Sequence, residues 1–139
     1  MGSILIVEDS EIDRKIISRV VNQLGYSQIQ FVDGLQAWNF LLENETGKGK
    51  NIELIITDYM MPSMNGEVFV KSIKNHKEYE KTPLIMVSGI VKLSEIMHLL
   101  KLGIDRFMPK PINTAELGEY IEDLIKKDVN QSDSARLSA

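Results

Sequence analysis

Leu54-Ile55-Ile56-Thr57-Asp58-Tyr59-Met60-Met61-Pro62-Ser63-Met64-Asn65-Gly66 stands near the middle of the chain and changes character twice. Leu54–Thr57 is a short apolar and β-branched run, the pattern of a strand covered on both faces. It ends at the acid Asp58. Beyond Gly66, Val68, Phe69 and Ile73 recur at helical spacing. A strand, a loop opened by a carboxylate and a helix follow one another.

Working outward in both directions, the same unit recurs. Strand-like runs fall at Ile4–Val7, Ile29–Val32, Leu84–Val87 and Ile104–Met108. Between them, Ile12, Ile16, Ile17, Val20, Val21 and Leu24 share one helical face, stopped by Gly25. Leu35, Trp38, Leu41 and Leu42 make another, and Leu93, Ile96, Met97 and Leu100 a further one, ended by Gly103. The stretch from Val91 to Leu102 is expected to pack on the sheet. Leu117, Tyr120, Ile121, Leu124 and Ile125 form the last face, opened by Asn113 with Glu116 three residues on, a capping-box arrangement. Five strand–helix units in strict alternation predict an α/β fold with a parallel five-stranded sheet and right-handed crossovers.

The chain has 139 residues, enough for one domain with a real core. Residues 1–127 are expected to form it. Residues 128–139 are polar and without apolar period, and read as a disordered tail or linker stub. The glycine-spaced stretch 44–51 reads as a mobile loop. There is no cysteine, which removes disulfides, thiolate nucleophiles and cysteine-ligated zinc. The net charge is −4 and the close basic pair Lys48 and Lys50 is no dense patch, so nucleic-acid binding is disfavoured. No apolar run approaches the roughly 20 residues of a membrane span. The chain opens into Ile4–Val7 with no basic region before it, so the start reads as a strand rather than a signal peptide, and the cytoplasm is the expected location.

In an open parallel sheet, ligands bind beyond the carboxyl ends of the strands. The first strand is followed by Glu8-Asp9, the third by Asp58, the fourth by Ser88-Gly89 and the fifth by Lys110-Pro111. If these strands are neighbours, carboxylates, a hydroxyl and an ammonium converge on one rim. Clustered carboxylates repel, and a hard divalent cation such as Mg²⁺ relieves the repulsion. An Asp carboxylate is a competent nucleophile toward phosphorus, and metal and lysine would stabilise charge on the transferred group. Taken singly, each residue has an ordinary role: Ser10 can cap a helix beside two loop acids, Lys110 can be a surface lysine and Ser88 a turn residue. Their coincidence at four strand ends is what points to phosphoryl transfer onto Asp58.

Val7-Glu8-Asp9-Ser10, Ile56 to Gly66, Val87-Ser88-Gly89 and Phe107-Met108-Pro109-Lys110-Pro111 together resemble the blocks of two-component response-regulator receiver domains, the family of the bacterial chemotaxis response regulator. The resemblance covers residues 3 to 127. It implies a flavodoxin-like (βα)5 three-layer sandwich with strand order 2-1-3-4-5. It implies phosphorylation at Asp58, with Mg²⁺ held by Asp9, Asp58 and the Met60 carbonyl, and by Glu8 through water. Ser88 is then the hydroxyl that moves toward the phosphoryl group, Lys110 its ion-pair partner and Phe107 the aromatic switch. The bond before Pro111 is expected to be cis. The implied activity is that of a phosphoacceptor in signal transduction, which takes part in its own phosphorylation and dephosphorylation, rather than of an enzyme with a separate substrate. The implied donor is a histidine kinase or a histidine phosphotransfer protein. The outer side of the fourth helix, last strand and last helix is where the family meets partners or forms homodimers. No output domain follows residue 127, so the chain reads as a free-standing regulator or as a receiver cut from a larger regulator or hybrid kinase.

Three positions depart from the commonest pattern. Glu8 stands where Asp is frequent, Ser88 lacks the methyl of Thr, and Phe107 lacks the hydroxyl of Tyr. Met60 and Ile90, two residues past Asp58 and Ser88, are apolar and unable to orient an attacking water, so a long-lived phosphoryl group is expected. Two other classes fit less well. A phosphatase working through an aspartyl phosphate wants a second Asp where Met60 stands. A flavin mononucleotide module wants a phosphate loop where Glu8-Asp9-Ser10-Glu11 would repel one. His76 and His98 lack ligand spacing and read as surface residues. Among the seven methionines, only Met60, Met61 and Met64 cluster, and the family block accounts for them.

Overall fold

The computed structural model describes residues 2–44, 49–89 and 92–137, with side chains described to residue 126. Five strands and five helices alternate: β1 (Ser3–Val7), α1 (Glu11–Gln23), β2 (Ser27–Phe31), α2 (Gly34–Asn44), β3 (Ile52–Thr57), α3 (Gly66–Lys74), β4 (Leu84–Ser88), α4 (Leu93–Leu102), β5 (Arg106–Pro109) and α5 (Thr114–Leu137). The sheet has the order β2-β1-β3-β4-β5 and every pairing is parallel. This is the flavodoxin-like arrangement expected from the sequence.

Alternation along the strands divides the core. Ile4, Ile6, Leu54, Ile56, Ile85 and Val87 turn toward α1 and α5. Leu5, Val7, Ile55, Leu84 and Met86 turn toward α2, α3 and α4. Removing each such side chain from water contributes about 1.5–3 kcal/mol, which is why the three central strands carry almost no polar residue. The edge strand β2 is half-buried, and Gln28 and Gln30 on it join a side-chain ladder reaching Asn22 of α1.

The helix starts follow their capping residues. Ser10 Oγ accepts from the Asp13 N–H over 3.3 Å, Asp33 Oδ1 from the Gln36 N–H over 2.8 Å, and Asn65 Oδ1 from the Val68 N–H over 3.0 Å. At α5, Asn113 Oδ1 accepts from the Glu116 N–H over 3.0 Å, but the Glu116 carboxylate is taken by the Tyr120 hydroxyl, so the box is half made. Gly103 closes α4 at φ 118°, in the left-handed region where a Cβ would be strained.

Several expected boundaries and faces are corrected. The last strand begins at Arg106, two residues later than the apolar run suggests, because the Ile104 N–H is still spent on Leu99 O, closing α4. Helix α5 continues to Leu137, through most of the stretch read as an unstructured tail. No Gly or Pro follows Gly118 to stop it, and its Glu, Lys, Gln and Ala residues are compatible with helix. Of the glycine-spaced loop, residues 45–48 lie outside the described residues. Ile12, Leu35, Leu42 and Val68 face outward from their helices. The largest departure is α4. It buries only Leu99, with Ile96 and Leu102 half-covered, whereas Leu93, Met97 and Leu100 are 69%, 50% and 45% exposed. The apolar stripe expected to pack on the sheet is mostly its outer surface.

Candidate functional site

The carboxyl ends of β1, β3, β4 and β5 meet at one rim. The Glu8 N–H donates to Phe31 O over 3.0 Å, so the backbone is still in the sheet where the first acid stands, and the side chain is fully buried. Asp9, one residue further, is exposed. The Asp58 N–H donates to Val7 O over 3.0 Å, which sets Asp58 beside Glu8, and Asp58 is itself buried. Ser88 is the last residue of β4 and fully buried. The Lys110 N–H donates to Ser88 O over 2.8 Å, and the Lys110–Pro111 bond is cis.

The Lys110 ammonium is the hub. Its Nζ lies 2.9 Å from Glu8 Oε1, 3.0 Å from Asp58 Oδ2 and 3.0 Å from Asp13 Oδ2. Asp58 Oδ1 accepts from the backbone N–H of Tyr59 over 2.6 Å and of Met60 over 3.3 Å. Glu8 Oε2 accepts from the Ser10 N–H over 3.1 Å. Glu8 Oε1 is close to Lys110 as a charge, yet no donor is aligned on it. It is the one buried side-chain oxygen among the described residues left without a hydrogen bond. A buried acceptor in that state costs free energy unless something cationic completes it.

Burial is the main reason the Glu8 carboxyl is pushed up to about 7. The Lys110 ammonium and the Ser10 N–H oppose the shift, and the neighbouring Asp58 charge adds to it. Burial alone would pull the Lys110 ammonium down, but the surrounding carboxylates of Glu8, Asp58 and Asp13 prevail and hold it above its ordinary value. Glu8, Asp9 and Asp58 each offer an oxygen within 4.8 Å of the others. An all-oxygen set with one donor-less buried oxygen fits a hard divalent cation that keeps part of its water.

The loop after Asp58 is held tightly. The Met64 N–H reaches back to Pro62 O over 2.7 Å around Ser63, at φ 66°, a γ-turn of the strained kind. The Gly66 N–H donates to Tyr59 O over 2.7 Å, and a Cβ at Gly66 would stand 2.6 Å from Tyr59 Cα and 2.8 Å from Asp58 O. Glycine is required here so that the start of α3 can press against the backbone of the acid-bearing loop. Met60, beside Asp58, is 66% exposed. Ile90 lies outside the described residues. Phe107 pairs with Met86 in the sheet and is half-buried against the core on the α4 side.

The two histidines lie elsewhere. His98 of α4 is bonded to Glu67 of α3 over 2.7 Å, and His76 stands edge-on to Trp38. A cavity of about 430 Å³, lined in part by Asn44, Lys50, Glu53, Tyr79 and Lys81, opens at the amino ends of β3 and β4, away from the carboxylates.

Sequence reasoning overlooked Asp13 and Arg14. Asp13 reaches Lys110, and Arg14 Nη1 donates to Glu8 O over 2.9 Å, fixing the backbone of the first acid. The available signal was position. Helical side chains lean toward the amino end, so the first turn after β1 overhangs the rim.

The chain is similar to known proteins. The family described as the response regulator receiver domain matches residues 4–122. A chemotaxis protein CheY homolog of Campylobacter jejuni is 34% identical over 123 residues, covering 88% of this chain and 91% of that protein. The structure of the chemotaxis response regulator CheY4 of Vibrio cholerae superposes with a TM-score of 0.78 at 25% identity, covering 89% of this chain and 98% of the other. The receiver domain of the sensor histidine kinase PA1611 of Pseudomonas aeruginosa, solved with a magnesium ion coordinated in its active-site cleft, has a TM-score of 0.77 at 23% identity over 91% and 99% of the two chains.

Proposed function

This chain belongs to the response regulator receiver domain family, and we propose that it works as a phosphorylation switch whose acceptor is Asp58. The observation that carries this is the Lys110 ammonium, 3.0 Å from Asp58 Oδ2, beside a cluster of three carboxylates able to hold a divalent cation.

Glu8, Asp9 and Asp58, with the Met60 carbonyl, would hold Mg²⁺. When bound, the ion neutralises charge on the transferred phosphoryl oxygens. An Asp58 carboxylate oxygen attacks the phosphorus of a phosphohistidine. The P–N bond breaks, its electron pair stays on the imidazole nitrogen, and that nitrogen takes up a proton. Lys110 turns one N–H from Asp58 Oδ2 to a phosphoryl oxygen. Ser88 donates its hydroxyl to another, and Phe107 follows Ser88 inward. Helix α4, anchored by Leu99 alone among its fully buried residues, is the element such a local change can displace.

The donor is a histidine kinase or a histidine phosphotransfer protein, which places the domain in the cytoplasm. The α4–β5–α5 face is the surface for a downstream protein or a second copy. Among the described residues no helix is long and apolar enough to cross a membrane. The domain can act as a free-standing regulator or as a module of a larger regulator or hybrid kinase. The chain covers 91% of the CheY homolog of Campylobacter, an example of the first, and 99% of the PA1611 receiver, an example of the second.

The test is intact mass after incubation with a small phosphodonor, with and without Mg²⁺, for the native chain and for Asp58→Asn. A Mg²⁺-dependent gain of about 80 Da, the mass of HPO₃, on the native chain alone is expected. No such gain would sink the reading.

A further inference from the structure

The Lys110 ammonium is shared by three acids, and one of them has no place in the metal cluster. Glu8 and Asp58 belong to the group of carboxylates that can converge on a cation; Asp13 does not. We propose that Asp13 is a positioning residue of the phosphoryl-transfer site, which holds the Lys110 ammonium from helix α1 and offsets part of its charge. The inference rests on the receiver reading above.

The geometry is built rather than incidental. Asp13 stands in the first turn of α1, its N–H held by Ser10 Oγ over 3.3 Å, while the Ser10 N–H is held by Glu8 Oε2 over 3.1 Å. The next residue, Arg14, grips the Glu8 carbonyl over 2.9 Å. The turn carrying Asp13 is thereby tied to the same strand end that carries Glu8. The Asp13 and Lys110 side chains are 24% and 20% exposed, so the pair is partly shielded from solvent.

An ammonium has three N–H donors, and three carboxylate oxygens lie within 3.0 Å of this one, of which Asp58 Oδ2 takes an aligned hydrogen bond while Asp13 and Glu8 are held as ion pairs. When a cation draws on Glu8 and Asp58, and a phosphoryl group replaces the charge of Asp58, two of these partners change. Asp13 is the partner that neither event claims. It keeps the ammonium at the rim while another N–H swings to the phosphoryl oxygen. The same charge also tempers the attraction that Lys110 exerts on an anionic donor. The site is held in register at the expense of some speed.

The reaction to follow is transfer from a small acyl phosphate to the 139-residue chain with Mg²⁺. Asp58 forms its bond to phosphorus as the donor's P–O bond breaks, and the electron pair leaves on the donor's carboxylate. Initial rates are read by intact mass at low and high ionic strength, with thermal unfolding to confirm that each variant is folded. Asp13→Asn removes the charge and keeps an acceptor. It is expected to react about fivefold faster than the native chain at low ionic strength, the effect of one charge a few ångströms away. The gain should vanish at about 1 M salt, where the screening length is about 3 Å. Asp13→Glu should track the native chain. Asp13→Ala, which also loses the acceptor, should be slower than Asp13→Asn at both ionic strengths. A purely structural role would move neither the salt dependence nor the gap between Asn and Ala. Native protein that is phosphorylated at Asp58, with Asp13→Asn matching it at low salt or Asp13→Ala matching Asp13→Asn, overturns the role of Asp13 alone. Native protein that gains no Mg²⁺-dependent phosphoryl group overturns the receiver reading and this role with it.

Discussion

Lys110 Nζ donates to Asp58 Oδ2 over 3.0 Å, joining two residues 52 positions apart in the chain. The bond spans the carboxyl ends of β3 and β5, with β4 between them. It puts a permanent cation against the acceptor carboxylate before any phosphoryl group arrives. Replacing Lys110 by Ala should therefore leave the acidic cluster able to bind Mg²⁺ while slowing phosphorylation of Asp58. Loss of one preorganised donor to developing charge costs roughly 100-fold or more in rate. Mg²⁺ titration and the time course of the mass gain separate the two effects.

Glu8 gives the fold a pH dependence of definite sign. Its carboxyl is pushed from 4.5 to about 7 in the fold, chiefly by burial. A raised value means that the fold favours the protonated form. The corresponding stability is fully present below about pH 4.5 and is lost as pH rises through about 7. Cation binding needs the ionised form and reverses the trend. Adding Mg²⁺ should raise the unfolding temperature more at about pH 8 than at about pH 6, and binding near pH 6 should release a proton. Glu8→Gln should remove the pH slope of the metal-free protein and weaken the Mg²⁺ response. Thermal unfolding with Mg²⁺ or chelator across that range reads all three.

Gly66→Ala tests the loop that carries Asp58. Its two closest contacts would be backbone, at 2.6 Å from Tyr59 Cα and 2.8 Å from Asp58 O, which cannot move aside as the Met86 methyl at 3.1 Å could. Overpacking of this kind costs about 1–3 kcal/mol, and here the displaced atoms hold the acceptor. Denaturant unfolding should show the stability loss. The phosphorylation rate should fall even at temperatures where the variant remains folded.

On α4 the exposed and buried residues should part company. Leu99→Ala should cost about 2–5 kcal/mol, as for other large-to-small core changes. Met97→Lys, on the outer face, should stay within about 0.5 kcal/mol of the native chain. Equal losses from both, measured in urea, would mean that the outer stripe is packed after all.

These two α4 residues also show where the sequence was legible and where it was not. The central strands could be read because every residue of Ile4–Val7 and Leu84–Val87 is buried, so composition alone announces them. The strand ends could be read because parallel order forces Glu8, Asp58, Ser88 and Lys110 to one rim. The face of α4 could not. Leu93, Ile96, Met97, Leu99, Leu100 and Leu102 wrap most of the way round the helix, and periodicity does not say which side meets the sheet. Asp13 was missed for another reason. Its partner Lys110 is 97 positions away, and nothing local distinguishes a rim acid from a helix-start acid. Glu8 was found but not the upward push on its carboxyl, which depends on its burial beside Asp58.

Met60 bears on how long the signal lasts. Its side chain is 66% exposed and stands beside the acceptor, its own N–H donating to Asp58 Oδ1 over 3.3 Å. A thioether has no proton to donate and accepts weakly, so a water approaching the acyl phosphate finds no side chain here to orient it. Asn at this position would offer two donors and an acceptor without changing the backbone. Positioning an attacking water is worth orders of magnitude in many hydrolyses, and a partial version on an exposed loop should still be worth about tenfold. Met60→Asn should therefore shed its phosphoryl group about tenfold faster than the native chain, with the rate of acquiring it little changed. The decay of the mass gain after removal of the donor measures this directly. Equal decay in the two proteins would show that access of water, rather than its orientation by residue 60, sets the lifetime.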